Sequence, residues 1–557
     1  MEKINFSNNT KINTLLDNII NELSPFLEEQ ARSINELTAI GLALSAEQDI
    51  ATILEMILSQ ARRFTHADGG TVYLLNKDGN ELVFHVVENE TLNIKMGGAS
   101  GKTVTLPNVP LFTKDNKQNL SNVSAYVANT EEIVNIPDVY ETIGFNFEGT
   151  KKFDSSINYK SKSMLVMPLR DHENKIIGVL QLINSTDQKT GESIAFSEDS
   201  IKMSSALASQ AAVILTQHFL IKEMKELFES FIHAIATAID EKSQYTGGHI
   251  QRVAELTMMI ANKINQSEKG HFKDISLTPD QLDELRIAAW MHDTGKITTP
   301  DHIVDKSCKL ETIFDRIELI KTRWIVIGLQ TQLAAEKEKN NILKKTLDEI
   351  NTEKIKTIEI TCDQKINTLK NDLEFLTQIN TGGEFMRDEL LDRLKTIAKK
   401  TYSINGNEKN YITENEFYNL SIKKGTLTDE EREKINSHAH MSTQILNKLP
   451  WPKKLAGVPD IAGAHHEKLD GTGYPKGLIG DQINLQARIM AIADIFEALS
   501  ARDRPYKESM PLSQINKILG FMVKDNHVDR NIVALLSKSG IDKKYAGKFL
   551  NKSQIDI

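Results

Sequence analysis

The stretch "GAHHEKLDGTGYPKGL", residues 463–478, places two histidines side by side, His465 and His466, and follows them at once with a turn-rich loop. That loop holds Asp470, Gly471, Gly473, Tyr474, Pro475 and Gly477. Adjacent histidines on a solvated helix can be coincidence, and for an isolated pair that is the simpler reading. A Gly-Tyr-Pro turn changes the weighing, because proline fixes its own φ and restricts the residue before it. The chain path beside the imidazoles is then set. Whether those imidazoles hold a metal depends on what the rest of the chain supplies.

Other donors occur in four further stretches. "YTGGHIQRV" (245–253) offers His249 near the start of a helix, and "AAWMHDTGKI" (288–297) offers adjacent His292 and Asp293, then Lys296. "REKINSHAHMSTQIL" (432–446) offers His438 on a helix whose Ile435, Met441 and Ile445 face a core, and "RIMAIADIFEAL" (488–499) offers Asp494. Asp293 and Asp494 are the most informative, since each sits among apolar residues where an unpaired carboxylate is costly. A cation removes that cost; a buried Arg or Lys partner is the alternative for either aspartate alone. Five histidines and two aspartates suit a dinuclear site with mixed N/O ligation, as first-row divalent ions accept, and the lack of thiolates disfavours structural zinc. Two cations about 3.5–4 Å apart can make a hydroxide near neutral pH and clamp an in-line phosphoryl displacement. Lys296 then reaches a phosphate oxygen, or is a solvated surface lysine.

Outward from these stretches, 557 residues imply several domains. Residues 35–215 alternate helical periodicity ("INELTAIGLALSAEQDIATILEMILSQARRF") with strand-like runs such as "GGTVYLLN", "SMLVMPLRD" and "KIIGVLQLIN". This predicts an α+β domain with an antiparallel sheet, preceded by a helical segment over 1–34. A connector helix is predicted over 203–240, with Met224, Phe228, Phe231, Ile235 and Ala238 on one stripe. The stripe packs either on its own domain or on a second subunit in parallel. Residues 225–310 and 415–557 read as mainly helical. Between them, 311–414 reads as an insertion, a helical hairpin or coiled coil rich in Lys, Glu, Asn and Ile, with Gly382 and Gly383 as a stop. No proposed ligand lies in it, so deleting 325–380 is expected to leave folding and metal binding intact.

The net charge of −9 argues against an extended surface for a nucleic-acid polymer. Two cysteines without a Cys-x-x-Cys pattern suit a reducing compartment. No signal peptide is evident at the N-terminus, and the apolar run "WIVIGL" (324–329) is far too short to span a bilayer. A cytoplasmic location is expected.

Taken together, the spacing of Thr246, His249, Arg252 and Val253, with "HDTGK", "NSHAHMSTQIL", "HHEKLDGTGYPKGL" and "ADIFEALSARDRPYK", closely resembles the HD-GYP phosphodiesterases. These are a branch of the HD metal-dependent phosphohydrolases, bacterial enzymes that cleave cyclic di-GMP. Residues 35–215 resemble a GAF domain through strand order and "GVLQLINSTD…FSEDS". The resemblance implies a GAF sensor before an all-α HD-GYP domain that opens cyclic di-GMP to pGpG, or on to GMP. It implies His249, His292, Asp293, His438, His465, His466 and Asp494 as ligands of divalent first-row metals, with Asp293 bridging. Iron is expected first, with manganese or another ion as the alternative. Asp240 stands where some members use a glutamate for a third metal. Lys296 is implied to contact phosphate or help the leaving oxygen. Asp470, Gly471, Gly473, Tyr474 and Pro475 are implied to line the substrate groove, and Arg504 and Lys507 to bind the phosphodiester. A homodimer is expected.

The chain departs from the pattern in places. "LETIFDRIELIKTRW" (310–324) replaces a usual loop, and "KKGTLTDEE" (423–431) resumes the pattern after the insertion. Asp494 to Arg504 is one residue longer than expected, and Glu497 stands where aspartate is usual. In the GAF region Asn184 and Phe196 fit a cyclic-nucleotide signature, but Ser185 replaces its lysine, so a small-molecule ligand stays open there. The rival readings are a metal-loaded cyclic-dinucleotide receptor with little turnover, and a phosphohydrolase of another nucleotide.

Overall fold

Strict side-chain alternation builds the sheet of the first unit. Along one strand Val72 and Leu74 face one core while Tyr73 faces another; Leu165, Val166 and Met167, and then Val179 and Leu180, repeat the pattern. The computed structural model describes residues 10–242, 247–344, 350–382, 385–501 and 510–557. It divides into two units, Met1–Leu227 and Phe228–Ile557.

In the first unit the order is α1 (Thr10–Ala46), α2 (Ile50–Thr65), β1 (Ala67–Leu75), β2 (Glu81–Asn89), β3 (Ile94–Gly97), β4 (Val109–Pro110), α3 (Val123–Thr130), β5 (Val134–Ile136), α4 (Glu148–Ile157), β6 (Met164–Arg170), β7 (Ile176–Thr186), β8 (Ser193–Ile194) and α5 (Glu198–Asp240). The expected boundary at 34/35 falls inside α1. The sheet runs β3-β2-β1-β7-β6-β5, with β4 on β2 and β8 on β7, and every pairing is antiparallel. One face is covered by α2 and the first part of α5, through Leu54, Ile57, Leu58, Leu207, Ala211 and Leu215. The other is covered by α3, through Val123, Ala125 and Val127. Asp49 caps α2 by accepting from Thr52 N, and His66 ends it in the left-handed region.

Helix α5 belongs to both units: it packs on the sheet through Leu215, and Ile232, Ala236 and Ile239 join cores of the second unit. Between these segments Leu220, Ile221, Met224, Leu227 and Phe231 are exposed.

The second unit continues with α6 (His249–Asn265), α7 (Pro279–Met291), α8 (Asp301–Val304), α9 (Ile317–Leu343), α10 (Ile350–Asn380), α11 (Asp388–Ala398), β9 (Thr401–Ile404), β10 (Asn407–Asn410), α12 (Glu414–Leu420), α13 (Asp429–Leu446), α14 (Val458–Gly463), α15 (Leu485–Ser500), α16 (Leu512–Lys524), α17 (Arg530–Lys538) and α18 (Ile541–Phe549). Its main core joins α6, α7, α14, α15, α16, α17 and α18. Helix α15 is apolar nearly all round and correspondingly buried, from Ala487 through Phe496. Capping boxes at Thr278/Gln281 and Thr428/Glu431 start α7 and α13, the two helices that carry the central donors.

The insertion is more than a helical hairpin. Helices α9 and α10 do run antiparallel: Trp324 Nε1 donates to Leu369 O (3.1 Å), and farther out Lys339 pairs with Glu359 (3.2 Å). Gly382, at φ +69°, follows α10 as a helix stop; Gly383 lies outside the described residues. Helices α11 and α12 and the β9–β10 hairpin then complete a separate core with Leu310, Ile317, Trp324, Leu376, Leu394 and Ile412 among its members. Asn405 and Gly406, both at positive φ, form the hairpin turn. Two buried lysines root this subdomain: Lys306 on Glu431 (2.8 Å) and Lys309 on the carbonyls of Ile422 (2.8 Å) and Leu420 (3.2 Å).

This core corrects the expected tolerance to deletion of 325–380. That cut removes Ile327, Leu369, Phe375, Leu376 and Ile379 from the core, and Asn380, whose side chain accepts from Leu310 N. It should unfold the subdomain. Replacing only 334–361 by a short Gly/Ser linker removes no residue of that core. The shorter deletion should therefore unfold within about 0.5 kcal/mol of the parent, with unchanged metal content. Urea unfolding with metal analysis checks this; a shift beyond about 1 kcal/mol would show that the tip contributes to the fold.

Candidate metal centre

The donors come from five separate stretches of the chain, and the backbone sets their orientation. His292 closes α7 and donates from Nδ1 to Ala289 O (2.8 Å). His438, inside α13, donates from Nδ1 to Ile435 O (2.5 Å), and His465, just beyond α14, to Ala462 O (2.6 Å). A carbonyl can only accept, so in all three the proton sits on Nδ1 and Nε2 presents a lone pair. Those lone pairs converge. His438 Nε2 and His465 Nε2 are 3.4 Å apart, and the buried His292 Nε2 has no hydrogen-bond partner. Lone pairs held face to face and away from water are stabilised by a cation between them.

The carboxylates complete two sides. Asp293 Oδ1 lies 3.4 Å from His438 Nε2, while its Oδ2 lies 3.4 Å from His292 Nε2 and 3.6 Å from His249 Nε2. Asp494 Oδ1 lies 3.3 Å from His249 Nε2 and 3.9 Å from His292 Nε2. The donors fall into overlapping groups: His438, His465 and His466; His249, His292 and Asp494; and His292, Asp293 and His465, each spanning no more than 4.8 Å. Asp293 thus points one oxygen toward each of the first two. The residues present fit a pair of divalent cations.

Charge agrees with that fit at three of the histidines, whereas at His292 burial is outweighed by the Asp293 carboxylate, which raises the imidazole. Burial holds His438 and His465 below the ordinary imidazole range and brings His466 down to about 4, keeping all three neutral near pH 7. Burial works the same way on His249, but Asp494 and Glu497 outweigh it and raise it to about 10. Burial acts upward on Asp293, yet Lys296 and His292 hold it well below the usual carboxylate range. Asp494 is likewise lowered against burial, chiefly by His249.

Asp240, the last residue of α5, is buried beside this cluster and does not face water. Burial lifts it to about 6, and its carboxylate accepts from Ile250 N (3.3 Å). Lys296 Nζ lies 2.7 Å from Asp293 Oδ2. Tyr474 stacks beside His466, ring centroids 4.8 Å apart, and donates its N–H to His466 O (3.2 Å). The loop path is enforced by Gly473, where a Cβ would lie 2.6 Å from Glu467 Cα, and by Gly471 at φ +81°. Pro475 follows Tyr474 in that loop. Asp470 is exposed, and its carboxylate accepts from the N–H and hydroxyl of Thr472 (both 2.8 Å), closing the turn. Thr246, Arg504 and Lys507 lie outside the described residues.

Several supporting residues escape a sequence reading. Glu467, 4% exposed, accepts from Lys476 N (2.7 Å) and Leu478 N (2.9 Å) and so anchors the far end of the loop. Ser442 donates to His292 O (2.6 Å) and accepts from Gly295 N (2.8 Å). Gln554 donates to Ser500 O (3.1 Å) and Met510 O (3.2 Å). Glu497 accepts from His249 Nδ1 (2.7 Å); its position three residues after Asp494 in an apolar helix was the available signal. In the first unit Asn184 accepts from Lys162 N (2.7 Å) and Ser163 N (3.2 Å), and Ser185 is sealed against Thr65 O (2.8 Å).

Comparison with known proteins agrees with this architecture. Residues 49–215 match the GAF domain model, and residues 246–356 and 415–532 match two HD domain models. The chain carries a GAF domain followed by an HD domain. HD domains imply divalent metal binding, in keeping with the His/Asp clusters. Among curated relatives, it is 48% identical over 119 residues to a 3'3'-cGAMP-specific phosphodiesterase of Vibrio cholerae, covering 21% of this chain and 24% of that one. It is 38% identical over 123 residues to a probable cyclic di-GMP phosphodiesterase of the same organism, 21% of this chain and 27% of the other. It is 40% identical over 95 residues to a cyclic di-GMP phosphodiesterase of Thermotoga maritima, 17% and 25% of the two chains. The chain thus spans about a quarter of the length of these relatives. Among the described residues, no helix is long and apolar enough to cross a membrane.

Proposed function

We propose that this chain is a metal-dependent phosphodiesterase that hydrolyses cyclic di-GMP to pGpG, or on to GMP, regulated by its GAF domain. One observation carries the reading: donor groups on either side of the Asp293 carboxylate lie beside the Gly-Tyr-Pro loop. In this reading His249, His292, Asp293, His438, His465, His466 and Asp494 would hold two cations, iron first and manganese or another ion as the alternative, and Asp240 would be the ligand of a third where three bind. When bound, the metals would supply Lewis acidity for phosphodiester hydrolysis. The side chains position and exclude. Lys296 turns from Asp293 to a phosphate oxygen, and Tyr474 lines the groove. Asp470, Gly471, Gly473 and Pro475 hold the loop's shape, and Arg504 and Lys507 bind the phosphodiester, the arginine through paired N–H groups.

Lys296→Ala should keep the metals and lower turnover by about 10²-fold, as loss of one charge-stabilising group does. Metal analysis beside steady-state rates checks it, and an unchanged rate would remove Lys296 from the site.

The exposed row Leu220, Met224, Leu227 and Phe231 on α5 has the four-three-four spacing of a parallel coiled coil and supports a homodimer. The layout proposed is a GAF sensor over 35–215 and an HD-GYP domain over 225–310 and 415–557, split by the insertion 311–414. Two free cysteines suit the cytoplasm.

A second reading, with 3'3'-cGAMP as substrate, is favoured by the name of the 48% identical relative. The deciding experiment offers both dinucleotides to anaerobically purified protein and quantifies metals and products together. Metal-loaded protein that binds a dinucleotide tightly without turnover would be a receptor, and the enzyme reading would fall.

A further inference from the structure

We infer that Glu497, clamped by Arg252, is a positioning residue for His249, and that it takes the place at Nδ1 that a backbone carbonyl holds at His292, His438 and His465. The inference rests on the proposed metal site. His292, His438 and His465 each fix Nδ1 on the carbonyl three residues earlier. His249 Nδ1 meets a carboxylate instead. His249 is the first residue of α6 and follows Gly248, whose φ of +76° turns the chain away from helical geometry.

The acceptor comes from α15. Glu497 Oε2 lies 2.7 Å from His249 Nδ1, and Glu497 is 1% exposed. Its other oxygen accepts from Arg252 Nε (2.8 Å), one turn along α6 from His249, while Arg252 Nη1 donates to Gly247 O (3.0 Å). One helix therefore addresses both nitrogens of a single imidazole. Asp494 lies 3.3 Å from Nε2, and Glu497, on the same face one turn later, holds Nδ1. The carboxylate fixes the ring plane and the tautomer, and raises the basicity of Nε2 toward a metal. Arg252 keeps the buried carboxylate paired and in place. Side-chain length matters here: within this backbone an aspartate at 497 is one methylene shorter than the glutamate that now lies 2.7 Å from His249 Nδ1.

The test uses the full chain loaded with Mn²⁺, with affinity read by chelator competition and ligand geometry by the visible spectrum of Co²⁺-substituted protein. H249A should lose one strongly bound cation. E497A should weaken one cation by about 10–100-fold, leave the other unchanged and alter the Co²⁺ spectrum. E497D should fall between E497A and the parent. The double variant H249A/E497A should be no worse than H249A, because Glu497 acts only through that ring. If E497A does not fold, the isosteric E497Q carries the same comparison, with a smaller shift of the same sign. E497 variants that bind both cations as tightly as the parent, or additive losses in the double variant, would sink the inference while leaving the metal site standing. H249A that kept both cations would sink the ligand assignment and this inference with it.

Discussion

Asp293→Ala is expected to empty the cluster and abolish turnover together, because this carboxylate joins the two donor groups. Its Oδ1 is within 3.4 Å of His438 Nε2, and its Oδ2 is within 3.4 Å of His292 Nε2 and 2.7 Å of Lys296 Nζ. Asp494, by contrast, lies beside His249 and His292. Without Asp293, the His438, His465 and His466 group keeps only neutral imidazoles, a weak set for a hard or borderline cation. Metal content should fall to one or fewer per chain, and hydrolysis should drop by more than about 10³-fold, beyond the loss of one charge-stabilising donor. Asp293→Asn separates charge from shape, since the amide fills the same space and cannot bridge two cations. A folded Asp293→Ala protein with full metal content and activity would refute the dinuclear assignment. Circular dichroism establishes the folding, and elemental analysis on the same sample reads the metal.

The donors were legible because burial and chemistry conflict at them. Asp494 in "IMAIADIF" and Asp293 after "AAWM" are carboxylates in apolar surroundings, and such a conflict shows in one dimension. The GAF sheet was legible for a similar reason, since the period of two along Val72, Tyr73 and Leu74 is a property of neighbours. What stayed hidden depends on distant partners. Glu497 read only as a departure from a pattern, because its contact with His249 joins residues 248 positions apart. The separate core of the insertion was hidden by the Lys/Glu-rich arms of α9 and α10. Its apolar members, Leu310, Leu376 and Ile412, come from segments with no common periodicity. The β9–β10 hairpin did carry a local signal, Asn405-Gly406, which the helical reading of 311–414 passed over.

Gly295→Ala should do nearly as much damage as loss of a ligand, although Gly295 has no side chain to offer a metal. Its N–H donates to Ser442 Oγ (2.8 Å), and that hydroxyl donates to His292 O (2.6 Å), so the turn after His292 lies tight against α13. A Cβ at this position would sit well inside van der Waals distance of His438 O and 2.6 Å from Ser442 N. Both are backbone atoms within α13, and neither can swing aside as a flexible side chain would. Relief requires moving α13 from the turn by more than about 1 Å, given ordinary contact distances near 3.5 Å. That displacement carries His438 away from Asp293 Oδ1, with which it now lies at 3.4 Å. Overpacking of this kind costs about 1–3 kcal/mol in stability, and misplacement on this scale costs about 10²-fold in rate. The metal on the His438 side should be lost first. Gly520→Ala in α16 is the matched control: nothing lies within 4 Å of its Cβ position, and alanine should stabilise the helix by about 0.5–1 kcal/mol. Urea unfolding and metal analysis on the two variants read both effects. Parent-like stability and metal content in Gly295→Ala would mean that α13 can yield at this contact, and that the close approach of the turn to His438 is not what sets the separation of the two donor groups.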